Sequence, residues 1–304
     1  MTSLTRRLSE SDVAASFMAS PVTMLSALVC VLFFSAAALA PLIALTNPYD
    51  LKTLDILNSR MPPVWLAGGQ WPFLLGTDDQ GADILSSILY GARISLVVGF
   101  SATLFSVVIG VFLGLAAGYG GGVADALIMR LADVQLTFPA ILMALLIGGV
   151  AQSALPAASR GDLAVPVLVV AIGISTWVQY ARTVRGLTLV EKGKDYVLAA
   201  RLIGRRPGFV MLGHILPNVL GPVLVIATIN LAFAVITEAT LSFLGVGVPI
   251  TQPSLGMLIR FGNDYLLSGE WWIVVFPSLA LVILAVAVNL MGDWLRDALN
   301  PKLR

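Results

Sequence analysis

Residues 94–124 read ISLVVGFSATLFSVVIGVFLGLAAGYGGGVA and contain no charged side chain. A helix needs about 20 mainly apolar residues to cross the hydrocarbon of a bilayer, so this stretch is long enough to do so. The strands of a membrane barrel alternate apolar and polar residues over only about 10 positions, which this continuous run does not do. The stretch therefore predicts an all-α membrane protein.

The composition of the whole chain agrees with that class. Of the 304 residues, 58% are hydrophobic and 12% are charged, and the mean hydropathy is +0.93. Ordinary soluble domains carry about 25% charged residues, so a soluble enzyme, a disordered chain and a coiled coil are excluded. The net charge of +1 indicates no nucleic-acid partner. Single copies of cysteine (Cys30) and histidine (His214) exclude an internal disulfide and a cysteine or histidine-rich metal site.

Five further apolar windows bring the number of predicted transmembrane helices to six. In chain order the six windows are residues 24–45, 94–124, 134–159, 163–181, 207–237 and 271–292. The first window follows Arg6 and Arg7 and has some features of a secretion signal. Its apolar core is longer than that of a typical signal, so we expect an uncleaved helix.

Lysines and arginines are distributed unequally between the two sides of this predicted bundle. With a cytoplasmic N-terminus, 13 basic residues lie inside and 5 outside, and seven of the 13 fall between the fourth and fifth windows. Cytoplasmic connections carry the excess of basic residues in membrane proteins. The sequence therefore predicts that both termini are cytoplasmic and that residues 47–93 form a long outer loop.

No motif for catalysis or for nucleotide binding is present. The sequence lacks HExxH and GxSxG. Gly193-Lys194 does not form a phosphate loop, because Thr188 stands where its first glycine belongs and Asp195 where its Ser or Thr belongs. We expect no catalytic, cofactor or metal residue in this chain, and any energy source must be another polypeptide or an ion gradient, unless transport is passive. Asp78, Asp79 and Asp83 in the outer loop lack calcium-loop spacing, which favours a structural role.

The connection between the fourth and fifth windows is longer than a plain linker. Helix connections commonly have about 2 to 8 residues, whereas this one runs from about 182 to 216. Gly204 is a helix stop and Pro207 suits the first turn of a following helix. The pattern predicts two short helices joined at Gly204. From the residues alone, a structured docking segment and a solvated basic loop that only sets topology remain equally open.

Several motifs in this chain resemble those of one transporter family. Ala199-Ala200, Gly204 and then Ile215-Leu216-Pro217 resemble the "EAA" loop of ABC importer permeases. Residues 76–96, 237–245 and 289–301 are similar to segments of the C-type subunit in the dipeptide/oligopeptide branch of that family. The chain departs from the pattern at Leu198, where the general loop has an acidic residue, and at Ala82 and Ser87, where relatives often carry arginine.

The resemblance implies a type I ABC importer permease-like bundle in the bacterial inner membrane. It implies a second, homologous permease subunit, two ATP-binding subunits that hold ATP and Mg²⁺, and a periplasmic or lipid-anchored solute-binding protein. The transported solutes would be peptides or peptide-like compounds. A loop near residues 186–217 would couple the ATPases to the pore. Its expected contact residues are Tyr196, Ala199, Ala200, Arg201, Gly204, Arg205, Arg206, Ile215, Leu216 and Pro217.

A polar stripe in the fifth window is a second candidate site. Asn230, Ala234 and Glu238 are spaced four apart and therefore share one helix face. Polar groups within a span rarely face lipid, so we expect this face to meet the partner subunit or the translocation path. A buried structural hydrogen bond is an equal alternative.

The sequence also suggests how the chain is divided and how its spans pack. Residues 1–92 would hold the N-terminus, the first span and the outer loop, residues 93–292 the permease core, and residues 293–304 a cytoplasmic tail. Gly110, Gly114, Gly118 and Gly122 predict a close packing face, within the chain or against a partner. The runner-up function is a stand-alone secondary transporter, which would show an internal repeat and ionisable residues inside the membrane.

Overall fold

A computed structural model of the chain describes residues 12–48, 50, 54–156, 159–249 and 252–298. Within those ranges the backbone is almost entirely helical, and one isolated bridge between Thr77 and Asp83 is the extent of its β-pairing. Arg6, Arg7 and the terminal residues 299–304, on which part of the charge count depends, lie outside the described residues. The all-α membrane fold is confirmed.

The helices have the following bounds in chain order: α1 Asp12–Ala19, α2 Pro21–Ala38, α3 Ala40–Ile43, α4 Ile84–Leu115, α5 Gly122–Leu136, α6 Ala140–Ala154, α7 Arg160–Glu191, α8 Asp195–Leu202, α9 Pro207–Val210, α10 Leu216–Phe243, α11 Leu255–Tyr265 and α12 Trp272–Ala298. A π turn, Ala116–Gly120, extends α4, and a second, Met211–Ile215, joins α9 to α10. Short 3₁₀ turns occupy Ile56–Asn58 and Leu266–Ser268.

Five helical segments of the described chain are long and apolar enough to cross a membrane: Pro21–Ala38, Ile84–Gly120, Arg160–Glu191, Pro207–Phe243 and Trp272–Ala298. A sixth span exists if α5 and α6 are counted together, because they pass the same test as a pair bent by 95°. The six predicted windows therefore correspond to five continuous helices and one broken one.

The third window, residues 134–159, is the one that the structure changes most. α5 ends at Leu136 and α6 starts at Ala140 after Pro139, whose backbone is extended. Proline has no N–H to continue a helical ladder, and it disfavours helical geometry in Phe138 before it. The window therefore contains a break between two helices and does not form one straight span.

The helix in the fourth window is longer than predicted. The apolar residues end near 181, whereas α7 continues to Glu191. Arg182 hydrogen-bonds Asp133, and Arg185 binds both carboxylate oxygens of Asp125 at 2.5 and 2.7 Å. Both aspartates lie on α5, so these arginines are paired to a neighbouring helix instead of forming a loop. The predicted loop is thus mostly helical.

The glycines of α4 pack against α7, which confirms a close packing face within the chain. A Cβ on Gly110 would lie 2.4 Å from the Tyr180 Cβ, and one on Gly114 would lie 2.6 Å from the Ala181 carbonyl oxygen. Gly118 makes a similar approach to α7. Gly122 does not belong to this face, because it lies past the π turn at a positive φ of 54°. Small residues let these two helix backbones meet at a distance that any side chain would prevent.

Candidate functional site

The turn between α8 and α9 is a helix stop centred on Gly204. The Gly204 N–H donates to the Arg201 carbonyl at 2.9 Å, and the Arg205 N–H donates to the Ala200 carbonyl at 3.1 Å. Gly204 has φ +78°. This pair of hydrogen bonds with a left-handed residue is a Schellman motif. Pro207 then opens α9, so the prediction of two helices joined at Gly204 is confirmed.

A polar network fastens α8 to the helices on either side of it. Glu191, at the end of α7, accepts hydrogen bonds from Lys194 at 2.5 Å and from the Tyr196 hydroxyl. The Asn218 amide of α10 donates to the Tyr196 hydroxyl at 3.2 Å and to the His214 carbonyl at 2.7 Å. Burial, together with the adjacent carboxylate, raises the pKa of Tyr196 to about 12. The hydroxyl therefore stays protonated and keeps donating at any physiological pH.

Three basic side chains of the segment are held by specific contacts. The Arg201 guanidinium lies over the Tyr119 ring, 4.6 Å from its centroid, and the Arg205 guanidinium lies over the Phe209 ring at 4.7 Å. Lys192 donates to the Gly118 carbonyl at 2.8 Å. Cation–π contacts hold a cation in place while leaving its edges open to water. The segment is therefore an ordered surface, which favours the structured docking segment over the solvated loop.

The ten residues predicted for this surface divide into two groups. Ala200 and Ile215 are buried, where they pack with Val197 and Val210, and Leu216 is half-buried beside them. The exposed members are Tyr196, Ala199, Arg201, Gly204, Arg205, Arg206 and Pro217. The buried group thus supports the segment from inside, while the exposed group forms the surface that another protein could contact.

Sequence reasoning missed an exposed apolar set around the same turn. Leu202 and Ile203 are 88% and 74% exposed, and Phe209 and Leu212 are also exposed. The sequence feature that could have indicated this set is the presence of apolar residues directly beside the Gly204 turn, in a segment otherwise rich in charge. An apolar patch rimmed by arginines marks a protein-contact surface.

The polar stripe of α10 lies inside the bundle. Glu238 has no exposed surface and accepts hydrogen bonds from the hydroxyls of Ser95 at 2.6 Å and Ser242 at 2.7 Å. Ser254 at the start of α11 is a further hydrogen-bonding partner. Because Ser95 belongs to α4, this carboxyl joins α4, α10 and the first residues of α11 at one point.

The other two residues of the stripe are buried as well. The Asn230 amide donates to Gln179 of α7 at 3.2 Å, and Ala234 packs in an apolar cluster with Val98 and Leu241. The structure therefore brings all three residues of the stripe against helices of the same chain. The burial of these three side chains favours the structural alternative, and a role of the stripe in the translocation path or at a subunit interface stays a prediction.

Across the residues that the structure describes, no group of three or more His, Cys, Asp or Glu side chains could hold a metal ion. The aspartates of the predicted outer loop have structural partners: Asp83 caps α4 by accepting the Ser86 N–H at 2.8 Å, and Asp78 accepts the N–H groups of Gln80 and Ala82.

Comparison with known proteins gives a consistent result. Residues 110–304 match the family described as binding-protein-dependent transport system inner membrane component. A di/tripeptide transport system permease protein of Pseudomonas aeruginosa is 39% identical over 281 residues, covering 92% of this chain and 86% of that protein. A dipeptide transport system permease protein of Haemophilus influenzae is 38% identical over 88% of this chain and 85% of its own. An oligopeptide transport system permease protein of Bacillus subtilis is 35% identical, with 96% and 90% covered.

Proposed function

Because this chain belongs to the family of inner membrane components of binding-protein-dependent transport systems, we propose that it forms half of the translocation pathway of an importer for peptides or peptide-like solutes. It is a multi-pass inner membrane protein and a transport subunit, not an enzyme. The relatives named above transport dipeptides, tripeptides or oligopeptides according to their names, and they support the substrate class.

Membership of this family implies ATPase and solute-binding components as partners. The finer proposal is a complex with a second, homologous permease subunit and two ATP-binding subunits, which hold the ATP and Mg²⁺. The observation that carries the ATPase contact is the exposed set at the Gly204 turn, where Leu202, Ile203 and Phe209 lie beside Arg205 and Arg206. An apolar centre with an arginine rim fits a cleft on another protein better than it fits water.

The alternative of a stand-alone secondary transporter receives no support. A proton- or ion-coupled carrier needs an intramembrane ionisable group that can exchange its ligand. Glu238 is instead enclosed by serine hydroxyls that hydrogen-bond to it.

Reconstitution tests the proposed function directly. The chain is purified with the subunits encoded beside it, placed in proteoliposomes and supplied with its solute-binding protein and labelled di-, tri- and pentapeptides. We expect uptake that requires ATP and the binding protein and stops with a non-hydrolysable ATP analogue. Uptake driven by a proton gradient without ATP would contradict the proposal. Competition by opines or metal chelates in place of peptides would correct the substrate class alone.

The orientation is proposed from the excess of basic residues on one side. Leu57 and Leu202 are each 88% exposed and lie on opposite predicted sides, so they are matched reporters. Single cysteines are introduced at these positions in a Cys30→Ala background and treated with an impermeant thiol reagent. We expect Leu57→Cys to react in intact cells and Leu202→Cys to react only after permeabilisation. The reverse pattern would overturn the orientation.

A further inference from the structure

The loop formed by residues 61–77 has a composition unlike that of an ordinary water-exposed loop. It reads MPPVWLAGGQWPFLLGT and contains no charged residue. It is also non-helical, yet Trp65 and Trp71 are 57% and 75% exposed, and Leu66 and Leu74 are exposed beside them. Contiguous exposed apolar groups mark a surface that meets something other than water.

The ends of this loop are closed by hydrogen bonds. The Thr77 N–H donates to the Met61 carbonyl at 3.0 Å, and the Met61 N–H donates to the Thr77 hydroxyl at 2.8 Å. Further along, the Val64 N–H donates to the Leu74 carbonyl at 3.2 Å. Turn hydrogen bonds within the loop satisfy the N–H groups of Leu66, Gly69, Phe73 and Gly76. Non-helical backbone enters an apolar medium only if its polar groups are satisfied internally, and this loop meets much of that requirement.

The position of the loop is determined by contacts with α12. The Trp272 ring N–H donates to the Thr77 carbonyl at 3.2 Å, which fixes the base of the loop to the first residue of that helix. The Trp65 ring stands edge-on to Phe276 with 6.0 Å between centroids, and the Trp271 ring lies 5.7 Å from the same Phe276. The loop therefore packs on the end of a membrane-spanning helix.

The side of α12 that receives Trp65 continues into an exposed apolar stripe of that helix. Leu279, Ile283 and Val286 are exposed apolar residues of α12, and their spacing puts them on one face. Phe276 is one turn before Leu279 on the same face, so Trp65 lies where this exposed apolar stripe reaches the end of the span. Tryptophan concentrates at this depth, since its ring combines an apolar body with a polar N–H.

We propose that the 61–77 loop lies in the interface of the lipid bilayer, with Trp65 and Trp71 inserted among the headgroups next to the outer end of α12. The occupant of this apolar surface is the membrane itself, because the surface is continuous with the exposed apolar stripe of a membrane-spanning helix, α12, and carries no charge that would select a soluble partner. The long outer loop is then anchored to the bilayer at its middle as well as to the two spans that it connects.

An environment-sensitive fluorescent amino acid, incorporated by amber suppression, measures this contact without disturbing other subunits. It is placed at Trp65 in the full complex, in nanodiscs that contain phosphatidylcholine brominated near the headgroup or near the chain end. Gln80, exposed in the same outer loop, is the aqueous control, and Leu279 is the control within the hydrocarbon. Position 71, whose side chain is mostly exposed, replaces position 65 if that variant does not assemble.

We expect a blue-shifted emission at position 65 and a loss of fluorescence with lipid brominated near the headgroup, while the probe at Gln80 is unaffected by either lipid. The probe at Leu279 should be quenched by both. Quenching at position 65 no greater than at Gln80 overturns the proposal. In cells, benzoylphenylalanine at position 65 should crosslink to lipid on irradiation. A crosslink to the solute-binding protein in place of lipid assigns the loop to protein docking and likewise overturns the proposal.

Discussion

The 186–217 segment and the 61–77 loop both connect spans, but they differ in secondary structure, in charge and in the contacts that hold them. The 186–217 segment is helical, and charged or charge-assisted contacts hold it, such as Lys194 on Glu191 and Arg201 on Tyr119. The 61–77 loop is non-helical and uncharged, and two hydrogen bonds between Met61 and Thr77 close it, one between backbone groups and one to the Thr77 hydroxyl. Each exposes apolar residues, but only the 186–217 segment surrounds them with arginines.

The difference indicates what each surface meets. Arginine beside apolar groups suits the rim and centre of a contact with a folded protein, in which water remains at the edge. Tryptophan and leucine suit the lipid interface, where amphipathic rings sit at the level of the headgroups beside the apolar chains. The two surfaces thus differ in charge content more than in apolar content.

The largest effect that tests this comparison is expected at Gly204. Its φ of +78° costs a β-branched residue about 1–2 kcal/mol, and among the described residues nothing lies within 4 Å of a Cβ built there. Gly204→Val should therefore distort the turn, and it should abolish most ATP-coupled uptake or the co-purification of the ATPases while leaving membrane insertion intact.

Gly204→Asn is the matched control, because asparagine tolerates a left-handed conformation. It should retain most of the uptake. If Gly204→Val keeps wild-type uptake and wild-type substrate-stimulated ATPase activity, the 186–217 segment only sets the topology of the chain and does not couple the ATPases to transport. Equal losses in both variants would mean that a partner fills the space beside Gly204 and that side-chain volume matters more than backbone conformation.

Thr77 tests whether hydrogen bonds close the 61–77 loop. Its buried hydroxyl donates to the Asn58 carbonyl at 2.5 Å and accepts the Met61 N–H. Thr77→Val leaves both groups without this partner, so we expect a loss of about 1–3 kcal/mol in stability. The measurement is the midpoint of thermal aggregation of the purified complex and the protease sensitivity of the loop. Thr77→Ser keeps the hydroxyl and should stay near wild type; a Thr77→Val variant as stable as the wild type would show that these hydrogen bonds do not hold the loop closed.

Asp78 gives the segment between α3 and α4 a pH dependence. Burial, with a contribution from Asp79, raises the pKa of Asp78 to about 6, even though the N–H groups of Gln80 and Ala82 donate to the carboxyl. The folded protein then binds a proton more tightly than the unfolded chain, so stability should fall as pH rises from about 4 to about 6 and stay at the lower level above that.

Asp78→Asn cannot ionise, and its side-chain oxygen can still accept the same N–H groups. It should remove that pH dependence and raise stability at pH 7 by at most about 3 kcal/mol, since one pKa unit corresponds to about 1.4 kcal/mol. Because the carboxyl is only half-buried, the gain should be smaller than this limit. Thermal midpoints of both proteins between pH 4 and 8 are the measurement, and parallel pH profiles would show that Asp78 is already ionised when folded.

The smallest effect is expected for the ion pair of Arg185 with Asp125, which fastens α7 to α5 ahead of the 186–217 segment. Its side chains are 33% and 19% exposed. Partly exposed pairs contribute about 0–1 kcal/mol, and salt screens them. Asp125→Asn should lower the thermal midpoint slightly in low salt and not at all in 1 M salt. A loss independent of salt would indicate that the pair acts through its geometry and not through its charge.

Much of this architecture is predictable because its causes are local in sequence. The spans follow from charge-free windows, and the α8–α9 turn follows from Gly204 and Pro207 standing three residues apart. The break before α6 was missed because proline is also compatible with the first turn of a continuing helix, so Pro139 inside an apolar window does not by itself reveal a 95° bend.

The candidate site was less predictable, because exposure depends on tertiary packing. Ala199 and Ala200 look alike in sequence, yet one is exposed and the other is buried against Val197 and Val210. The environment of Glu238 depends on Ser95, 143 positions earlier in the chain, and no local pattern links the two. Proximity of this kind arises only when the helices pack.

The broken third span also makes lipid chain length relevant to this subunit. The 15 residues of α6 reach about 22 Å at about 1.5 Å per residue, against a hydrocarbon thickness of about 30 Å. Leu142, Leu146 and Val150 form the exposed apolar face of α6, and wherever that face borders lipid the bilayer must thin or α6 must shift, at a cost of fractions of a kcal/mol per Å. Where that face borders lipid, phospholipids with short acyl chains match the length of α6 better than long ones do.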